Sequence, residues 1–343
     1  MRFLNIIGIA AAMTLSMALN GASAADFYAG KSIKIVTGGS AGGGYDTHTR
    51  TLARQLGKHI PGKPSIIVQN MPGGSGIKSI NHTFTKAEKD GTEIGQFNRN
   101  ALFARLLGHK TALFNLDEFN WIGSTASYSD NAWVVIIRRE LPYKSIEDLR
   151  KAPKPVVFGN VRSVLIPITK EALGANIRII EGYEGSQLNL AFERGEIDGM
   201  GTGYSNLFRE HPNWLKDNKV RIMVQFGSGE RIKALKEVPT AREVAVSQDD
   251  KDLVEFSELA LTLGYPFAMP PGVPKARVEI VRKAFIAAVN DPAYLAEAKK
   301  AKLEVTPRFG DKLEAAVIKA AKAPQSLIAR YKRLAGESGD KTR

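Results

Sequence analysis

Ser32-Ile33-Lys34-Ile35-Val36-Thr37-Gly38-Gly39-Ser40-Ala41-Gly42-Gly43-Gly44-Tyr45-Asp46 carries the pattern that decides the fold. Residues 32–37 are apolar and β-branched enough for a strand, and glycines follow at once. A helix is predicted over 46–56, with Gly57 placed to end it. Strand, glycine-rich turn and helix in direct succession open a parallel α/β unit.

Outward from this stretch the alternation repeats. A second strand is predicted at 65–70, then the turn Pro72-Gly73-Gly74-Ser75-Gly76, a helix and a strand at 93–97. Further strands are expected at 132–137, 156–158, 177–180 and 220–226, with helices at 165–173 and 187–194. Gly174 and Gly195 stand where those two helices should stop. Ser145-Ile146-Glu147-Asp148 reads as a capping box, and Pro274 opens a helix over 275–289. The fold class is therefore α/β with mainly parallel sheets. No repeat or flexible tether interrupts the chain, which suits two lobes joined by short crossings.

Glycines at 38, 39, 42, 43 and 44 let the backbone approach a ligand, and the start of the following helix attracts anions. Asp46 reads first as a cap for that helix. The loop is not a nucleotide loop, because Tyr45-Asp46 stand where a P-loop needs Lys and Ser/Thr. A dinucleotide fingerprint wants an acid ending the second strand, and Gln69-Asn70 stand there. His48, His59, His82, His109 and His211 form no ligand pair with a neighbouring carboxylate, so no metal and no cofactor is expected. His48, on the first helix, reads as a surface or packing residue. Gly73-Gly74-Ser75-Gly76 does not match a nucleophile elbow.

The N-terminus has one basic residue, Arg2, an apolar run over 3–19, and Ala22-Ser23-Ala24. This is the pattern of a signal peptide cleaved near Ala24, preferred over a membrane anchor because small residues end the run and no basic residues flank it. The chain has no cysteine, so neither disulfides nor a lipid anchor on cysteine is expected. The net charge of +13 owes only Arg2 to the leader. Export argues against nucleic acid. The basic cluster Lys319, Lys322, Arg330, Lys332, Arg333 reads as the solvated face of a helix.

Ala41-Gly42-Gly43-Gly44-Tyr45-Asp46 and Val68-Gln69-Asn70-Met71-Pro72-Gly73-Gly74-Ser75-Gly76 begin a longer array. It continues with Asp90-Gly91-Thr92, Gly182-Tyr183-Glu184-Gly185, Gly195-Glu196-Ile197-Asp198-Gly199 and Val238-Pro239-Thr240-Ala241-Arg242-Glu243. In order and spacing this array resembles the receptor proteins of tripartite tricarboxylate transporters, the Bug family.

The resemblance implies a two-lobed periplasmic-binding-protein fold of the second type, with the ligand cleft between lobes. The expected lobes are 25–126 with 229–343, and 127–228. The implied function is capture of a small organic carboxylate in the periplasm, a di- or tricarboxylate or an aromatic acid, for integral membrane transporter subunits. One implied pincer on the carboxylate is Ser40, Ala41, Gly42, Gly43, Gly44, Tyr45 and Asp46. The other is the loop 160–164, with Arg162 and Ser163; the family usually has glycine and serine there, and a threonine where Tyr45 stands. Arg162 either pairs bidentately with a carboxylate or points into solvent. Ser127 and Tyr128, near a lobe crossing, Tyr183, after a strand, and Tyr204 complete the candidate ligand contacts. Two rivals share the pocket. A sensory receptor would present the ligand-bound form to a membrane sensor kinase, and a periplasmic enzyme would need an acid–base pair or nucleophile that the sequence does not offer.

Overall fold

The computed structural model describes residues 26–127, 131–161, 163–183, 185–227 and 229–336. The predicted leader, Tyr128 and Arg162 lie outside the described residues. Along the chain run β1 (Ser32–Thr37), α1 (Gly44–His59), β2 (Ser65–Asn70), α2 (Ile77–Thr85), β3 (Glu93–Gln96) and β4 (Asn120–Ser124). Then come β5 (Trp133–Arg138), α3 (Ile146–Arg150), β6 (Val156–Gly159), α4 (Leu165–Glu171), β7 (Ile177–Ile180), α5 (Gly185–Arg194), β8 (Gly199–Gly203) and α6 (Tyr204–Arg209). The chain continues with β9 (Val220–Phe226), α7 (Gln248–Leu263), β10 (Pro266–Met269), α8 (Lys275–Val289), α9 (Pro292–Lys300), α10 (Gly310–Ala321) and α11 (Gln325–Leu334).

Two compact units emerge. Of the described residues, the first holds those up to Phe97, Glu118–Gly123 and Phe267–Leu303; the second holds Asn98–Asp117, those between Ser124 and Pro266, and those from Glu304 on. This partition differs from the lobes expected from sequence, because residues 98–117, 229–266 and the C-terminal helices pack within the second unit. Phe103, on the first of these segments, stacks on Tyr331 of α11 at 6.1 Å and meets Phe256 of α7 edge-on at 5.6 Å.

In the first unit the strands run in the order β4-β10-β3-β1-β2. β1 lies parallel to both β2 and β3, whereas β10 is antiparallel to β3. Ile33, Ile35 and Val36 of β1, Leu52 and Leu56 of α1, and Ile80 of α2 are all buried. A cluster of Phe97, Phe119 and Trp121, with ring centroids 5.1–6.3 Å apart, adds aromatic area beside them. Fully burying one such side chain contributes about 1.5–3 kcal/mol, so this packing holds the sheet end still under the glycine loop.

The sheet of the second unit has the order β7-β6-β8-β5-β9. β5 is antiparallel to β8 and β9, and β6 is parallel to β7 and β8. The carboxyl ends of β6, β7, β8 and β9 and the amino end of β5 therefore share one end of the sheet. Val134, Ile136, Leu188, Phe192, Ile197, Met200 and Trp214 form the core on one face.

The α/β expectation is borne out, and β1, β2, β7, β9 and α8 have the predicted bounds. The capping box is present: Asp148 N–H donates to Ser145 Oγ at 3.1 Å, and Ser145 N–H to Asp148 Oδ2 at 3.1 Å. The C-terminal basic cluster departs from expectation, since it spreads over α10 and α11. Arg330 in particular is held by Glu171 at 2.7 Å and Asp250 at 2.5 Å instead of facing solvent. Among the described residues no helix is long and apolar enough to cross a membrane.

Candidate functional site

The glycine loop leaves β1 at its carboxyl end, where ligands bind in open α/β sheets. Thr37 is fully buried, and its hydroxyl donates to Gln96 Oε1 at 2.6 Å and accepts from Gly39 N–H at 3.2 Å. Gly38 passes close to α2: a Cβ there would lie 2.5 Å from Ser79 Oγ and 3.4 Å from Gly76 Cα. Glycine is needed at 38 because the two glycine-rich turns approach each other. The chain then reverses at Gly42, whose φ is +77°.

Gly43 precedes α1 and provides no side-chain cap. The first turn of α1 therefore lacks the side-chain acceptor that a serine or aspartate would offer, and an anion can take that place. Ser40, Ala41, Gly42 and Gly44 are exposed, whereas Gly43 and Tyr45 are partly covered.

Asp46 sits beneath this exposed tip and is 3% exposed. Its Oδ2 accepts from Gly42 N–H at 2.8 Å, and Arg50 Nε contacts both carboxylate oxygens at 2.9 and 3.0 Å. Asn70 Nδ2 donates to Asp46 Oδ1 at 2.8 Å and to Gly39 O at 2.9 Å, while Arg50 Nη2 donates to Asn70 Oδ1 at 2.8 Å. Burial opposes ionisation of Asp46, yet the hydrogen bonds from Arg50, Gly42 and Asn70 hold its carboxyl below the ordinary 3.8. Asp46 is thus a strut behind the loop, reaching back to Gly42. Arg50 and Asn70 were not singled out from sequence. Asn70 ends β2 where a dinucleotide site would carry an acid, and that position was the available signal.

His48 lies two residues further along α1, 3% exposed, and burial lowers its pKa from 6.5 to about 4. It is a neutral packing residue near pH 7.

In the second unit Asn160 follows β6. Its side-chain NH₂ donates to Ser163 O at 3.0 Å and to Glu181 Oε1 and Oε2 at 3.0 and 3.1 Å; its Oδ1 accepts from Ser163 N–H at 3.1 Å. One amide thereby shapes the 160–164 turn and ties it to the end of β7. Tyr183 leans on the end of β6, since a Cβ on Gly159 would lie 3.2 Å from its Cε2. Tyr204 opens α6, packs edge-on against Phe208 at 4.9 Å, and burial raises its phenol pKa above 10.0. Asn131, before β5, donates to Ser205 Oγ at 2.9 Å and accepts from Ser205 N–H at 3.1 Å. Ser163, Tyr183 and Tyr204 therefore gather at one sheet end with Asn160 of the expected loop, and with Asn131 and Glu181 as partners that sequence reasoning missed.

Ser127 is elsewhere in its unit and 3% exposed. Its N–H donates to Thr306 Oγ1 at 2.8 Å and its hydroxyl to Thr306 O at 3.0 Å, while the Thr306 hydroxyl donates back to Ser127 O. Its polar atoms join two distant stretches of chain.

No protein-family model matches the chain. The UPF0065 protein in the gbd 5' region of Cupriavidus necator is 25% identical over 320 residues, covering 90% of this chain and 89% of that protein. A TctC solute-binding protein from Polaromonas, solved without ligand, superposes with a TM-score of 0.69 at 18% identity, covering 90% and 99% of the two chains. The periplasmic binding protein BugD gives 0.52 at 19% identity, covering 90% and 98%. An R. palustris protein solved with adipate gives 0.51 at 17% identity, also covering 90% and 98%. The chain has the α/β fold of these solved periplasmic binding proteins. The Bug-family resemblance carried by its motifs is borne out over nine tenths of its length.

Proposed function

We propose that this chain is a periplasmic receptor that captures a small organic carboxylate and passes it to a membrane transporter of the tripartite tricarboxylate type, without catalysis. The observation that carries the reading is the uncapped start of α1 beneath an exposed glycine tip, held from behind by Asp46, Arg50 and Asn70. A helix start favours an anion by about 0.3–2 kcal/mol. Ordering a residue costs roughly 1–2 kcal/mol, and a loop already fixed by its strut avoids that cost on binding. Micromolar affinity requires about −8 kcal/mol, so the helix start alone falls short and further contacts must contribute. Ser163, Tyr183, Tyr204 and Arg162 are the candidates. Adipate in a protein of the same fold supports a dicarboxylate as the first class to test. Residues 1–24 serve as the export signal in this reading.

A thermal-shift screen of the protein from Ala25 onward against mono-, di- and tricarboxylates and aromatic acids tests it. Ligand at one hundred times its dissociation constant should add about 2.7 kcal/mol of stability. A selective rise with one acid class supports the receptor reading and names the class. No rise with any acid rejects carboxylate capture.

A further inference from the structure

A cavity of about 370 Å³ opens within the second unit, between α7, α10 and the turn that leads into α11. Small-molecule sites commonly occupy roughly 300–1,000 Å³. Phe256, Leu259, Ala320 and Leu327 give it an apolar lining. The Phe256 ring is fixed edge-on by Phe103 at 5.6 Å and Tyr331 at 5.1 Å, so the floor is preformed. None of these residues belongs to the glycine loop or to the sheet end described above.

The mouth is charged. Glu255 Oε1 receives Lys319 Nζ at 2.6 Å and Arg242 Nη1 at 3.5 Å, and Asp252 accepts from Gln248 at 2.9 Å. Arg242 is also committed below, with Nε 2.6 Å from the fully buried Glu258. Both acids of the mouth thus have donors. The cations are less tied: the Lys319 side chain is 69% exposed, and Lys322 has no ion-pair partner among the described residues. An exposed ion pair is cheap to exchange, and Glu255 keeps Arg242 when Lys319 swings away.

We infer that this cavity is a second ligand site, for an amphipathic monocarboxylate whose hydrocarbon part enters between α7 and α10 and whose carboxylate meets Lys319 and Lys322. A medium aliphatic chain or a single aromatic ring suits the volume and the lining.

Titration calorimetry with butanoate, hexanoate and octanoate tests this, with octanol and succinate as controls. Each buried methylene should tighten binding about fourfold, so octanoate should exceed butanoate by about two orders of magnitude. Ala316→Phe fills the cavity and should weaken octanoate more than tenfold while leaving the response to succinate unchanged. Lys319→Gln with Lys322→Gln, both on exposed side chains, should weaken octanoate about tenfold and leave octanol unaltered. The second pair keeps the test decisive where the filled cavity does not fold. Absence of saturable octanoate binding, a flat chain-length series, or octanoate affinity untouched by the lysine pair would overturn the inference.

Discussion

The side-chain amide of Asn70 donates to Asp46 Oδ1 at 2.8 Å and so joins the end of β2 to the first turn of α1. The same amide reaches Gly39 O at 2.9 Å, on the far side of the loop. Two stretches of chain, residues 39–50 and the end of β2, are thereby fixed around one carboxylate, and the glycine tip in front of it inherits their rigidity.

Asp46→Asn should remove the charge-assisted bonds from Arg50 and leave its half-exposed guanidinium undercompensated. Hydrogen bonds to charged groups contribute about 1.5–3 kcal/mol, and a loss of that size is expected in urea denaturation. Ligand affinity should fall with it. An unchanged midpoint would show that the carboxylate is no strut.

Acid should act in two separable windows. Burial lowers the His48 pKa from 6.5 to about 4, so the unfolded chain binds a proton there that the folded chain refuses. Stability should be full above pH 6.5 and fall by roughly 3 kcal/mol as pH drops toward 4. Asp46, held below 3.8, contributes stability above that value, which is lost only at still lower pH as the folded carboxyl protonates. In His48→Leu the decline between pH 6.5 and 4 should flatten while the lower one persists. Denaturation curves at pH 7, 5.5, 4 and about 2.5 measure this, and an unchanged slope between pH 6.5 and 4 in the variant refutes it.

Gly38→Ala should cost stability and ligand affinity, because the new Cβ would meet Ser79 Oγ at 2.5 Å. Ser79→Ala removes that oxygen and leaves its Cβ at an ordinary 3.5 Å. The double variant should therefore recover most of what Gly38→Ala loses relative to Ser79→Ala alone. A double-mutant cycle with no coupling would mean that the two turns do not constrain each other.

Glu258 is fully buried, with Arg242 Nε at 2.6 Å and Gly227 N–H at 3.0 Å. Burial raises its pKa, and the Arg242 guanidinium works against that. Arg242→Met should destabilise by about 3–5 kcal/mol, since breaking a buried pair strands a charge. Adding Glu258→Gln should restore part of the loss. A surface-like cost below 1 kcal/mol would contradict the pairing.

Periodic stretches were readable from the residues alone, and β1 and β9 are examples. β8 was not, because three of the five residues in Gly199-Met200-Gly201-Thr202-Gly203 are glycines and Thr202 alone is β-branched. The reason is tertiary: a Cβ on Gly199 would lie 2.4 Å from Phe158 Cζ, and one on Gly201 1.8 Å from Trp133 Cη2. Rings from adjacent strands cover those glycines and supply the side-chain area the strand lacks. α1 also ran past its expected end, reaching His59. At the site, the exposed loop was legible because glycines crowd a short stretch. Its support was not, because Arg50 and Asn70 have ordinary identities and become informative only once folding sets them beside Asp46.

The strut separates two duties along the loop. Ser40 and Ala41 are exposed, whereas Asp46 carries the internal bonds. Under the proposed receptor function, residue changes at the tip can retune which guest is welcomed without unsettling the scaffold, whereas a change at Asp46 strikes both at once. A lineage with that function can diversify its diet at the exposed tip while a single concealed acid stays fixed.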